Sequence, residues 1–267
     1  MLKNKIINSE FVNLYKNSTF KSEIVSQALF WEKVEIIESI DNWYKIKQHD
    51  NYISYIYKDY LIDLTGHHDD LFSDKKKWFF IKDRLVEVVS IKGNCKKILS
   101  FGTLIPIIEN NENDCSVLLL PDNQKYLINS NSIFSFDLKL SFKDIVDYAM
   151  NVLDVPYFWG GRSGFGFDCS GLIQHLYRFY NIILPRDCSK QIKFNKFIKV
   201  NSDYIAGDLI YFYKSNIVDH VGMFINNNEF IHSSGYVKIN SINENSIKYN
   251  NTFDSHDYNV FRMNSNA

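Results

Sequence analysis

Of the four cysteines in the 267-residue chain, Cys95, Cys115, Cys169 and Cys188, it is Cys169 that stands where a thiol becomes a nucleophile. It follows the glycine-rich stretch Gly160-Gly161-Arg162-Ser163-Gly164-Phe165-Gly166. It also opens a segment, about Cys169 to Tyr180, in which Leu172, Ile173, Leu176 and Phe179 line one side of a helix. Backbone N–H groups in the first helical turn lack partners, and the helix dipole places positive charge beside them. Both favour the thiolate, the form that attacks a carbonyl carbon. Such a nucleophile needs an imidazole. His220 stands at the start of an expected strand, Val221–Asn226, and His232 lies on the next, Phe230–Ser233. A hairpin turn through Asn226-Asn227-Asn228, centred near Asn226, sets the two histidines opposite each other as cross-strand partners. Paired in this way, one serves as base and the other fixes its tautomer. Gly222, on the face of His220, leaves room beside it.

The other candidates carry less. Cys188 follows Pro185-Arg186-Asp187 in an expected loop, has no helix start, and ranks second as a reactive thiol. No two cysteines form a C-x-x-C pair, which argues against a zinc ribbon or a thioredoxin-like site. His175, six residues along the Cys169 helix, faces away from the sulfur and reads as structural, and the sequence assigns no role to His49 or His256. The run His67-His68-Asp69-Asp70 presents adjacent side chains in diverging directions, so no metal is expected there. The glycine-rich stretch lacks the Lys-Ser/Thr ending of a phosphate loop, which removes nucleotide binding. What remains is a cysteine hydrolase that needs neither a metal nor an organic cofactor.

These residues must be positioned by elements, and the chain changes character at Ser141. Ser141 with Asp144 reads as a capping box for an amphipathic helix, Phe142–Leu153, stopped by Pro156. Strands are expected at Asp208–Tyr213, Val221–Asn226, Phe230–Ser233 and Asn259–Arg262. Before Ser141 the chain is strand-rich, with Val34–Ile37, Trp43–Lys47 and Ile53–Tyr57 separated by Asp41-Asn42 and Asp50-Asn51. A match at a constant offset of 71 residues pairs Phe30 with Phe101, Ile36-Ile37-Glu38 with Ile107-Ile108-Glu109, Ile46 with Val117 and Tyr55-Ile56 with Tyr126-Leu127. It marks two copies of a small β-unit with the strand content of a small barrel. The expected organisation is one β-domain over 1–64, a linker over 65–78, a second β-domain over 79–138 and a catalytic domain over 139–267.

The formal net charge of −1 offers no field for nucleic acid, and 45% apolar residues suffice for real cores. The start, MLKNKIINSEFVNLYKN, is broken by Asn4, Lys5, Asn8, Ser9 and Glu10 and holds no signal-peptide core; no apolar run reaches the length of a membrane span. A cytoplasmic protein with free thiols and no membrane insertion is expected; the oligomeric state stays open.

The stretch Asp168-Cys169-Ser170-Gly171, preceded by Pro156-Tyr157-Phe158-Trp159-Gly160-Gly161 and followed by His220-Val221-Gly222, resembles the NlpC-type family of papain-like cell-wall cysteine peptidases over about Ser141 to Met263. The duplicated β-units resemble bacterial SH3-like domains. The resemblance implies an α+β papain-like catalytic domain preceded by two small all-β SH3-like barrels, and a triad of Cys169, His220 and His232. It implies a substrate-facing role for Tyr157, near the nucleophile, and a site lined by Asp168 and Ser170. It also implies hydrolysis of the γ-D-glutamyl–diamino acid bond in peptidoglycan stem peptides. In such relatives an acidic residue in an Arg-Asp-Ser stretch pairs with the free amine of an N-terminal L-alanine. Arg186 and Asp187 match that stretch, and Cys188 replaces the serine. A carboxylate there favours released peptides over peptide still attached to glycan, and so murein recycling. Rival readings are an amidase or acyltransferase on the same fold, or a wall-binding protein whose catalytic domain is idle.

Overall fold

The computed structural model describes residues 4–93, 95–111, 114–251 and 257–264; His256 lies outside them. The chain forms two compact units. The first is Met1–Lys139 with Arg162–Phe165, and the second is Leu140–Gly161 with Gly166–Ala267.

The first unit opens with strands β1 (Lys5–Ile7), β2 (Phe11–Tyr15), β3 (Ile24–Leu29), β4 (Lys33–Ile40), β5 (Trp43–Lys47), β6 (Ile53–Tyr57) and β7 (Leu61–Asp63). After helix α1 (Gly66–Ser73) come β8 (Trp78–Ile81), β9 (Leu85–Ser90), β10 (Lys96–Ser100), β11 (Leu104–Asn111), β12 (Cys115–Leu119), β13 (Lys125–Asn129) and β14 (Ile133–Ser135). They make two seven-stranded sheets, ordered β3-β2-β6-β5-β4-β1-β7 and β10-β9-β13-β12-β11-β8-β14. The second order is the first with seven added to every strand number, so the duplication is one of topology. Even a β-bulge recurs, between Ile36 and Glu38 and again between Ile107 and Glu109. The offset is not constant, however. Glu38 faces Lys45 whereas Glu109 faces Val117, so Val117 answers to Lys45, and Ile46 to Leu118. Two residues join β4 to β5 and three join β11 to β12, which moves the offset from 71 to 72 beyond that turn.

Residues 65–78, expected as a linker, are packed structure. Thr65 caps α1 in a reciprocal box with His68. Buried Leu71 and Trp78 join Ile6, Phe30 and Trp31 in a core with the second sheet's Val88, Ile105 and Leu118. The Trp31 indole donates to the Leu119 carbonyl at 2.9 Å, and His68 Nε2 lies 3.0 Å from the Pro121 carbonyl oxygen. The two sheets thus share a core across α1 within the first unit.

The second unit contains α2 (Phe142–Ala149), β16 (Gly166–Phe167), which follows β15 (Arg162–Ser163), α3 (Cys169–Phe179), α4 (Cys188–Gln191), β17 (Phe197–Val200), β18 (Leu209–Lys214), β19 (Ile217–Phe224), β20 (Glu229–Ser234), β21 (Tyr236–Ser241) and β22 (Asp257–Met263). The Ser141–Asp144 box caps α2 as expected. A 3-10 turn, Met150–Val152, follows at Ala149, so the helix stops short of Leu153. An antiparallel sheet ordered β17-β22-β18-β19-β20-β21 carries α3 against β19 and β20. Of the eleven residues of α3, only Arg178 is not buried. A central helix buried on nearly all sides, packed against an antiparallel sheet, is the α+β arrangement expected. Among the described residues no helix is long and apolar enough to cross a membrane.

Candidate active site

Cys169 is the first residue of α3 and is only 8% exposed. Its place is fixed by Asp168, which caps the helix by accepting the Gly171 N–H at 2.7 Å. The same carboxylate accepts from the Gly160 N–H at 3.0 Å and from both terminal nitrogens of Arg186 at 3.0 and 2.5 Å. Arg186 also donates to the Ser170 hydroxyl at 2.9 Å, and that hydroxyl to Asp168 at 3.2 Å. The three side chains are 7%, 2% and 6% exposed for Asp168, Arg186 and Ser170. A paired, buried set of this kind is committed to itself. The side-chain polar atoms of Asp168, Ser170 and Arg186 thus anchor the start of α3.

The Cys169 thiol meets the Cys188 thiol, and the hydrogen bond between them pushes Cys169 well above the ordinary thiol range; burial and the Asp168 charge push it the same way. The Val221 N–H, directed at the sulfur, works against this without overcoming it. Cys188 is lowered by the same hydrogen bond. It does begin a helix, the four-residue α4 with Asp187 at its N-cap, an element too short to leave a periodic signature in sequence. Its sulfur lies 3.9 Å from the Val218 carbonyl oxygen.

His220 is the fourth residue of β19, not its start. The hairpin to β20 pairs Met223 with Ile231 and Phe224 with Phe230. The expected register was two residues out, because the turn centres on Asn227, with the Asn226 side chain accepting the N–H groups of Asn228 and Glu229. Extending the observed register sets Gly222 opposite His232 and leaves His220 on the diagonal. The histidines still meet: His220 Nε2 and His232 Nδ1 are 2.7 Å apart, with the rings nearly perpendicular at 84°. Gly222 makes this possible. A Cβ there would lie 2.7 Å from the Phe230 ring and 3.2 Å from the His232 Cβ.

Asn240, on β21, completes the set and was missed from sequence. Its Oδ1 is 2.8 Å from His232 Nε2, while its Nδ2 donates to the Lys248 carbonyl at 2.9 Å. The tight turn at Gly235, with φ +74°, puts Asn240 and His232 on one face of the β20–β21 hairpin, a relation readable from the Ser234-Gly235 turn signal. The amide orientation dictates the protons. Lys248 turns Oδ1 toward His232, so Nε2 of His232 carries a proton and Nδ1 accepts. His220 Nε2 then donates, and the basic lone pair of His220 resides on Nδ1. Burial lowers His232 to about 4 and keeps it neutral in this chain of bonds.

Tyr157 is partly buried, and burial raises its phenol, which stays protonated and able to donate. The Asp187 carboxylate pairs with Lys190 at 3.1 Å and its side chain is 37% exposed. His175 is fully buried, beside the Phe167 ring. His67, His68, Asp69 and Asp70 all lie on α1, outside this unit.

Residues 154–255 match the NlpC/P60 family, and residues 10–62 match the bacterial SH3 domain. The chain is 33% identical over 138 residues to a γ-D-glutamyl-L-lysine dipeptidyl-peptidase of Bacillus subtilis, a match covering 51% of this chain and 46% of that protein. A Bacillus cereus protein of the same name is 26% identical over 231 residues, covering 80% of this chain and 68% of the relative. The aligned part thus spans about half of the first relative and two thirds of the second. A solved NlpC/P60 family protein from Bacillus cereus superposes with a TM-score of 0.82 at 19% identity, covering 98% of this chain and 99% of that one, and carries the same fold.

Proposed function

We propose, from the match of residues 154–255 to the NlpC/P60 family, that the chain is a cysteine peptidase cleaving the γ-D-glutamyl–diamino acid bond of peptidoglycan-derived peptides. The observation that carries the reading is the 2.7 Å contact between His220 and His232, with Asn240 behind it. Packing alone has no use for three aligned polar side chains, one of them a fully buried histidine. Cys169 is the nucleophile, His220 the general base through Nδ1, and His232 the group that orients it. The Cys169 proton passes to His220 as sulfur attacks the amide carbonyl carbon. The oxyanion is met by N–H groups of the first turn of α3 and by the Tyr157 hydroxyl. His220 then protonates the leaving amine, and water releases the acyl-enzyme.

The names of the two Bacillus relatives favour this bond and an L-lysine at the diamino position. The second seven-stranded sheet reads as a second SH3-like copy, because its strand order and bulge repeat those of the matched one. Asp187 is the candidate for the substrate's α-ammonium. Its bond to the largely exposed Lys190 is worth about 0–1 kcal/mol and is readily exchanged for a bound cation. That preference fits turnover of released peptides in the cytoplasm. The test is hydrolysis of L-Ala-γ-D-Glu-L-Lys and its diaminopimelate analogue, free and N-acetylated. The free peptides should be preferred by roughly ten- to a hundredfold in kcat/KM, and Asp187→Asn should shrink the gap. Equal rates on free and acetylated peptide would remove the recycling role and leave the bond assignment standing.

A further inference from the structure

The segment Arg162–Phe165 leaves the second unit at Gly161, folds as part of the first, and returns at Gly166, three residues before Cys169. Within the first unit it is held closely. The Arg162 side chain is 1% exposed and meets the 3%-exposed Glu32 at 3.3 Å. The same guanidinium donates to the Gln27 carbonyl at 2.6 Å, and the Arg162 N–H to the Gln27 side-chain oxygen at 2.9 Å. The Gln48 amide also reaches Glu32, at 3.4 Å. At the tip, the Gly164 N–H donates to Ser100 at 2.6 Å and the Gly164 carbonyl accepts from Arg84 at 3.1 Å. A Cβ on Gly164 would fall 2.1 Å from the Arg84 carbonyl oxygen, and the Phe165 ring packs on Phe11 at 4.8 Å.

A buried ion pair is weak as a source of stability, since desolvating two charges offsets most of their attraction. What it supplies is a single geometry, because neither charge tolerates losing the other. The geometry fixed here is that of the loop from which α3 starts. Gly161, the residue before Arg162, accepts the Asp168 N–H at 3.2 Å, and Asp168 is the cap on which Cys169 stands. We infer that Glu32 and Arg162 are positioning residues for the reaction: their ion pair holds the loop 160–166 in the form that places the Cys169 sulfur. The inference rests on the peptidase reading for its kinetics, but its test does not.

The variant is Glu32→Gln in the full chain, which keeps the shape and removes the charge. Two quantities are read well below the unfolding midpoint. One is the rate of alkylation at Cys169 by iodoacetamide, mapped by peptide so that Cys188 does not contribute. The other is kcat and KM on the free tripeptide. Displacing a reacting atom by about 1 Å costs on the order of a hundredfold, so alkylation and kcat should each fall about ten- to a hundredfold with KM little changed. If Glu32→Gln does not fold, Arg162→Lys, which keeps the charge and loses the fork, is read in the same way. A lowered midpoint with unchanged alkylation and kcat would make the pair purely structural and overturn the inference. If the wild type fails to cleave the tripeptide, the alkylation rate alone decides, and the loss of the substrate assignment leaves the positioning claim intact or refuted on its own evidence.

Discussion

At the scale of single residues, the chemistry turns on where three protons sit. Cys188 and burial push the Cys169 thiol upward, so its reactivity depends on a base placed to take the proton during attack. Cys169→Ala and Cys169→Ser should both abolish turnover with the fold intact. His220→Ala should lose about as much, because nucleophile and base act as a unit. His232→Ala should cost less, roughly ten- to a hundredfold, since water can partly replace an orienting group. Comparable loss of rate in none of these would remove the cysteine mechanism. His232 also writes itself into stability. Its folded pKa, lowered to about 4 from 6.5 by burial, means that between those values the unfolded chain binds a proton that the native chain refuses. Stability therefore falls as pH drops through that window, by roughly 3 kcal/mol in all, and is fully present above it. Denaturant unfolding at pH 7 and pH 4.5 should show the wild type losing roughly 2–3 kcal/mol more than His232→Gln. Identical pH slopes would mean that His232 is not held neutral.

At the scale of elements, one hairpin decides whether the two imidazoles meet. Gly222 is the gap between His220 and His232, and a methyl group there strikes Phe230, Ile231 and His232 at 2.7–3.2 Å. Gly222→Ala should cost about 1–3 kcal/mol of stability by overpacking and, measured on folded protein, reduce kcat out of proportion to that loss because the histidines are pushed apart. A variant with lowered stability and normal kcat would make the glycine a packing residue alone. This hairpin also marks the limit of what the sequence discloses. The two strands, their order and the shared face of the histidines are legible, because alternation and the Asn run signal them. The register is not, because Asn226, Asn227 and Asn228 can each centre the turn, and only side-chain capping by Asn226 selects among them. The same holds for α3 and its neighbours. Its apolar face is visible, and Asp168 as its cap follows from position. That Arg186 turns inward to Asp168 depends on a long-range contact without a local signature. The helix beginning at Cys188 is a single turn, below any periodic signal.

At the scale of the molecule, the duplication raises the question of whether two copies behave as two domains. The first sheet has a core of its own, built from Val12, Leu14, Ala28, Val34, Ile46 and Ile56, which by itself suggests independent folding. Among the described residues the second sheet's Val88, Ile105, Leu118, Ile128 and Trp78 share a cluster with Ile6, Phe30 and Trp31 of the first and with Leu71 between them. Leu71 touches neither sheet's hydrogen-bond ladders, yet it sits, 5% exposed, in the shared core. Leu71→Ala should cost about 2–5 kcal/mol through lost burial and the cavity left behind. If the sheets unfold as one, that loss must reach amides on both sides of α1. Native-state hydrogen exchange should then give Ile46 of β5 and Leu118 of β12 the same opening free energy, lowered by the same amount in the variant. If they are domains on a tether, Leu118 should be lowered and Ile46 left at its wild-type value, because the first sheet would keep its private core. The Trp31-to-Leu119 bond and the His68-to-Pro121 contact argue for the common opening, since both are buried and both are broken if either sheet unfolds alone.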